Sequence, residues 1–319
     1  MRSFYANSND AGLRLDKYIK KIITHAPDSL IYKYLRKKRI KVNGKKEEIS
    51  YKLKEGDFIE FYVNDELFAT SEENENSFYK INPNLDIIYE DENILVLHKK
   101  PGVIVHSDEK ENFNTLINHV LSYLYKKGEY NPEDENTFRP ALCNRLDRNT
   151  GGIMCAAKNA AALREMNDLI KNHKLQKKYL CIALGHFEKK SETLKAYHFK
   201  DEKNKEVYIS KTKKEGYKEI ITKYEVKKET IEKSTPLSYV EVTLITGRTH
   251  QIRAHLAYIS HPLLGDGKYG RNAVNKLFGI KYQCLYSYKL TFNIENEKSP
   301  LYYLNNKTFQ IKDVDFMKG

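Results

Sequence analysis

The chain has 319 residues, enough for about two domains, and carries 55 Lys and Arg against 43 Asp and Glu, a net charge of +12. No run approaches the roughly 18 apolar residues of a membrane span, and the N-terminal MRSFYANSNDAGLRLDK lacks the apolar core of a secretory signal. Four cysteines without a CxxC pair exclude a disulfide scaffold or zinc finger and point to the reducing cytoplasm, while 40% hydrophobic residues exclude wholesale disorder.

The charge is uneven along the chain. Residues 11–54 hold 14 Lys and Arg and only 4 acids, whereas residues 64–92 hold nine acids and one Lys. A solvated Lys-rich surface accounts for the global excess, but such a dense local cluster is the electrostatic footprint of a phosphate-backbone binder. Leu13, Leu15, Ile19, Ile22 and Ile23 recur at helical spacing. Asp28 and Ser29 offer a cap for a second helix, which turns Leu30, Tyr34 and Leu35 inward and its Lys and Arg outward. Ile40–Val42 alternates as a strand, Asn43-Gly44 marks a tight turn, and residues 58–63 read as a closing strand. The segments RLDKYI (14–19), YLRKKRIKVNGKK (34–46) and LKEGDFIEF (53–61) together resemble the S4-like RNA-binding domain. That resemblance implies an RNA-facing second helix and turn, with Arg36, Lys37, Lys38, Arg39, Lys41 and Lys45 as contacts. The expected domain is 12–63. The acidic, Asn-rich stretch 64–80 cannot bury much and reads as a linker.

Residues 81–312 form the expected second domain. Ile94–His98 is an apolar run that reads as a buried strand, and Val103–His106 resumes it after Pro101-Gly102. Residues 114–126 read as a helix, 129–137 as a polar loop, 152–157 as a strand, 160–171 as a helix and 179–184 as a strand. Further strands are expected near 207–210, 218–226 and 238–245, then a short helix over 250–259. Without a regular βαβ alternation, the fold class is α+β with a mixed or largely antiparallel sheet.

Three clusters stand out. In Asn144-Arg145-Leu146-Asp147-Arg148-Asn149-Thr150-Gly151-Gly152, an Asp with Arg on both sides favours the carboxylate, the state that a nucleophile or base needs; a turn Asp held by local hydrogen bonds fits the same pattern. In Thr246–Leu256, His250 and His255 are five apart, not the four of a zincin pair, so no metal is expected. The third cluster, Gly265-Asp266-Gly267-Lys268-Tyr269-Gly270, matches GxGxxG but follows no strand, so a structural glycine loop is the better reading than a dinucleotide site.

ILVLHKKPGVIVH (94–106), CNRLDRNTGGIMCAAKN (143–159), KKYLCIALG (177–185) and TGRTHQIRAHLAYISHPLLGDGKYG (246–270) together resemble the RluA-type family of pseudouridine synthases. Two positions depart from its HRLD-x-x-TSG block: Asn144 replaces His, and Gly151 replaces Ser. The resemblance implies that Asp147 is the nucleophile, that Tyr179 packs on the uracil and that Arg253 pairs with Asp147. It adds Arg145, Arg148, Arg248 and His250 as RNA contacts, with Ile252 and Leu256 as pocket walls. The isomerisation needs no redox change, so no cofactor is expected; the carboxylate either attacks the sugar or removes a sugar proton. The expected partner is structured RNA with an accessible loop, large-subunit (23S) ribosomal RNA ahead of transfer RNA. A monomer is expected. The competing readings are a non-catalytic RNA-binding assembly protein and a hydrolase built on His250 or His255.

Overall fold

The computed structural model describes residues 1–68, 77–106, 113–203 and 206–317. Strand β1 (Arg2–Tyr5), helices α1 (Leu15–Ile22) and α2 (Asp28–Arg36), and strands β2 (Ile40–Val42) and β3 (Phe58–Phe61) make a small first unit. Its antiparallel sheet runs β1-β3-β2. The helical spacing of Leu15, Tyr18, Ile19, Ile31 and Leu35 turns those side chains onto Ile59 and Phe61, and each such apolar burial contributes roughly 1.5–3 kcal/mol. The unit begins earlier than the 12–63 span expected from sequence, because β1 pairs along β3 from Arg2↔Phe61 to Tyr5↔Phe58. Helix α2 starts after Pro27, whose pre-set φ suits a helix start. Asp28 is therefore a first-turn residue, paired with Lys20 at 2.6 Å, and not the expected cap.

Both ends of the acidic stretch 64–80 are anchored. Phe68 packs into the first unit's core, and Phe78 and Ile81 pack into the second's. Residues 69–76 lie outside the described part.

The second unit is built on a sheet of β4 (Ile87–Glu90), β5 (Ile94–Lys99), β6 (Ala141–Leu142), β7 (Gly151–Ala157), β8 (Leu175–Leu184), β9 (Ser191–Asp201), β10 (Glu206–Ser210), β11 (Lys218–Glu232), β12 (Thr235–Leu244), β13 (Leu285–Phe292) and β14 (Thr308–Gln310). The order is β10-β9-β11-β12-β8-β13-β7-β5-β4, with β6 beside β7 and β14 beside β13. Helices α3 (Leu116–Lys126), α4 (Ala160–Lys171), α5 (Gln251–Tyr258) and α6 (Asn272–Phe278) cover it. The fold is thus α+β with a mixed sheet. Antiparallel pairing dominates, and β13 and β7 meet in parallel at Tyr286↔Gly151 and Ser287↔Gly152. Val103–His106 is no strand. The Ile104 and Val105 carbonyls instead accept from the N–H groups of Leu116 and Ile117 at 2.8 and 3.2 Å, satisfying orphan donors at the start of α3.

The polar 129–137 segment is a seat for the first unit. Asn7 Nδ2 donates to the Asp134 carbonyl at 3.1 Å and to Glu135 at 2.9 Å, and Asn136 Nδ2 donates to the Tyr5 carbonyl at 2.8 Å. Asn9 Oδ1 accepts from the first N–H of α4 at 2.9 Å.

Candidate active site

The loop carrying Asp147 runs between β6 and β7, beside the parallel junction of β7 and β13, and three devices hold its shape. Asn144 reaches back to β7, accepting from Cys155 N at 2.8 Å and donating to the Ile153 carbonyl at 3.2 Å. An amide can do both at once, so Asn144 can hold the loop to β7. Lys99, buried under the loop, donates to the carbonyls of Arg148 at 2.8 Å, Thr150 at 2.9 Å and Lys100 at 3.2 Å. Burial lowers its pKa to about 8, although the Asp147 charge opposes the shift. Finally, β13 crosses very close. A Cβ on Gly151 would lie 2.3 Å from the Tyr286 ring, and one on Gly152, at φ +128°, 2.3 Å from the Ser287 carbonyl. A side chain at position 151 would have to displace the Tyr286 ring.

Asp147 faces α5. Arg253 Nη1 donates to its Oδ2 at 2.7 Å, while no hydrogen bond to its Oδ1 occurs among the described residues. The opposite edge of the same guanidinium is taken by Asp266, with Nε to Oδ2 at 2.7 Å and Nη2 to Oδ1 at 3.0 Å. Asp266 is fully buried and also accepts from the backbone N–H groups of Lys268 and Tyr269 at 2.8 and 3.0 Å. Burial pushes its pKa up, but the Arg253 bonds and charge and these N–H groups outweigh that and hold it below the usual carboxylate range. Burial likewise opposes the charge on Arg253, and the two carboxylates more than offset it.

Two aromatic groups and a histidine complete the pocket. Tyr179, buried on β8, lies opposite Ser287 of β13. Its hydroxyl is pushed up to about 12 by burial, eased by the Ser287 hydroxyl and reinforced by the Asp147 charge, so it is protonated at neutral pH. His250 caps α5 in the left-handed region at φ 52°, a conformation that costs a non-glycine residue about 1–3 kcal/mol and clusters at functional sites. Its Nδ1 meets the Tyr269 hydroxyl at 2.9 Å, and its Nε2 lies 3.8 Å from Asp147 Oδ2. Burial, only partly countered by Asp147, lowers its pKa and favours the neutral ring.

These groups open onto a cavity of about 800 Å³ lined by Asp147, Tyr179, His250, Ile252 and Arg253, with Arg145 and Arg248 at its rim. Arg145 Nη2 donates to Thr249 Oγ1 at 3.2 Å. Sequence-expected residues thus converge from three separate segments. Others do not join them. Leu256 is core behind the cavity, and Arg148 is exposed, with only its backbone serving the loop. Arg36, Lys37, Lys38, Arg39 and Lys45 are exposed on the first unit, and Lys41 lies over the Tyr62 ring. Sequence reasoning missed Asp266, Tyr269, Lys99 and the cavity-lining Lys177, Lys200 and Lys218. The signal for the first two was present in GDGKYG, read only as a glycine loop. Among the described residues, no group of three His, Cys, Asp or Glu could hold a metal ion, and no helix is long and apolar enough to cross a membrane.

Residues 93–258 match the RNA pseudouridylate synthase family. The chain is 34% identical to an uncharacterised RNA pseudouridine synthase of Mycoplasma genitalium, over 90% of this chain and 88% of the relative. It is 32% identical to ribosomal large subunit pseudouridine synthase C of Buchnera aphidicola, over 82% and 78% of the two chains. The fold is similar to that of human RNA pseudouridylate synthase domain containing 1, with a TM-score of 0.53 and 22% identity over 74% of this chain and 96% of that one.

Proposed function

As the chain belongs to the RNA pseudouridylate synthase family, of the RluA type, and is an isomerase acting on RNA, we propose that it modifies large-subunit ribosomal RNA with Asp147 as the reacting group. One observation carries the second part: Asp147 lines the cavity with Oδ2 held by Arg253, and among the described residues no hydrogen bond engages its Oδ1. Oδ1 either attacks C1′ of the target uridine or takes a proton from C2′. In the first route the N1–C1′ bond breaks as Oδ1 bonds to C1′, and the Oδ1–C1′ bond breaks when C5 bonds to C1′; in the second the N1–C1′ bond breaks and C2′ regains its proton as C5 bonds to C1′; in both the uracil turns, C5 loses its proton and N1 gains one. The sum is an isomerisation. Tyr179 is the proposed platform for the detached uracil, and stacking of this kind is worth roughly 1–3 kcal/mol per base. Its protonated hydroxyl is available to donate to a carbonyl of the base.

The ribosomal substrate is supported by the names of relatives such as the Buchnera enzyme, and by the exposed basic stripe on the first unit, which we read as an S4-like RNA-binding domain. Extruding a uridine from its stack costs a few kcal/mol, which phosphate contacts along that stripe and at Arg145 and Arg248 would offset. The test is a pseudouridine map of cellular RNA, by carbodiimide marking and reverse transcription, with and without the gene. A large-subunit stop that disappears in the knockout and returns with wild type but not with Asp147→Ala is the expected result. A stop lost from transfer RNA instead would move the substrate; a stop restored by Asp147→Ala would remove Asp147 from the chemistry.

A further inference from the structure

The loop 265–270 does more than close a turn. We propose that Asp266 is a positioning residue for the reaction: its carboxylate clamps Arg253 so that the guanidinium aims Asp147 without neutralising it. This deepens the reading of Asp147 as the reacting group and rests on it.

Arg253 offers a fork of donors. A guanidinium presents two edges, and carboxylates prefer to take an edge bidentately. Left alone with Asp147, Arg253 would offer it such an edge, engaging both oxygens. Asp266 takes the Nε–Nη2 edge, at 2.7 and 3.0 Å, which fixes the plane of the guanidinium, and in that fixed orientation Nη1 meets Asp147 Oδ2 at 2.7 Å. The consequence for Asp147 is geometric: one oxygen is anchored and, among the described residues, no hydrogen bond engages the other.

The second consequence is electrostatic. One guanidinium between two carboxylates leaves the trio at a net charge of −1. An Arg253–Asp147 pair alone would be neutral and a weaker nucleophile or base. Burial enforces the division, because Asp266 is fully buried and Arg253 is 8% exposed, so water screens little of the attraction. Asp266 itself cannot move toward Asp147. The N–H groups of Lys268 and Tyr269 hold its Oδ1, and Asn275 ties the loop at the Gly265 N–H (2.8 Å) and the Asp266 carbonyl (3.1 Å).

The test is a double-mutant cycle on ribosomal transcript, with an RNA-free readout beside it. Asp266→Asn keeps the shape of the side chain and an acceptor but removes the charge. Turnover at saturating RNA should fall at least about thirtyfold, with RNA affinity within about threefold of wild type. In an Arg253→Gln background, the same substitution should change turnover by less than about threefold, because there is no guanidinium left to aim. An equal loss in both backgrounds would assign Asp266 to loop packing and overturn the proposal, as would wild-type turnover in Asp266→Asn. Asp266→Glu guards against a folding failure. It keeps the buried pair charged but displaces the carboxylate by about one C–C bond, ~1.5 Å, and should lose turnover at an unchanged melting temperature; wild-type turnover there also overturns the proposal. The side-chain N–H signals of Arg253 in 15N-labelled protein report the clamp without RNA. They should be resolved in wild type and in Asp147→Asn but averaged by rotation in Asp266→Asn. Averaged signals in wild type would refute the clamp even if the RNA assay succeeds. Resolved signals beside an inactive wild type would leave the clamp standing and count against the ribosomal substrate.

Discussion

Two basic regions of this chain hold their charges in opposite ways. On α2 and the turn after it, Arg36, Lys37, Lys38 and Arg39 are exposed, and no ion pair engages them among the described residues. In the cleft, Arg253 is buried and shared between two carboxylates. An exposed cation costs nothing to keep and acts at a distance by releasing counterions from a polyanion. A buried one must be paired, and its energy goes into fixing geometry. The first region should therefore govern affinity and salt dependence, and the second turnover and stability.

The largest effect expected is on turnover. Asp147→Asn keeps the Arg253 contact through its amide oxygen but removes the reacting charge. Turnover should drop at least about a thousandfold, roughly 4 kcal/mol of barrier, while a filter-binding Kd for RNA stays within a few-fold. A comparable loss of affinity would erase the division between the two regions.

Arg253→Gln probes the same cleft through stability. Removing one partner from a buried ionic pair typically costs about 3–5 kcal/mol, here because the enclosed Asp266 loses its cation. Calorimetry should show a melting temperature lower by on the order of 10 °C. Adding Asp266→Asn should restore part of that loss, since the orphaned charge is gone. A melting temperature unchanged by Arg253→Gln would mean that the backbone N–H groups alone suffice to hold Asp266.

How much of the molecule was legible beforehand follows the same division. Helices α1, α3 and α4 and strands β5 and β7 stood out because their apolar spacing is dictated by one-sided or complete burial. Strand β9, SETLKAYHFKD, did not stand out, because its neighbours β10 and β11 supply the pairing that its polar composition hides. Strand β1 was invisible because its ladder partner lies more than fifty residues away. Asp147, Tyr179 and Arg253 were readable as motif residues. Asp266 was read only as part of a glycine loop, because a carboxylate in such a turn satisfies its local backbone and its pairing with a distant guanidinium shows only in the fold. Local rules found what local forces shape.

A third prediction isolates the exposed region. Replacing Lys37, Lys38 and Arg39 by Ala in the full chain should weaken RNA binding. The slope of log K against log salt should shrink by about 0.7 for every phosphate that is no longer neutralised. Turnover at saturating RNA should stay within twofold. A slope that does not move would mean that these side chains meet no phosphate, and the S4-like reading of the first unit would fall with it.

The smallest effect concerns pH and lies on the far face of α5. His255 is 1% exposed and its Nδ1 meets Thr222 Oγ1 at 3.0 Å. Burial lowers its pKa from the ordinary histidine value near 6.5 to about 4. A group whose folded pKa is depressed adds stability above its unfolded pKa and loses it as pH falls toward the folded one. The unfolded chain takes up the proton first, so unfolding is favoured progressively between about pH 6.5 and pH 4. His255→Gln keeps a partner for Thr222 but cannot titrate. Denaturant midpoints should fall across that window in wild type and fall less steeply in the variant, with turnover at neutral pH little changed because His255 does not line the cavity. Parallel curves for the two proteins would shift the acid sensitivity to another buried histidine, and His198, which burial also depresses, is the next to replace.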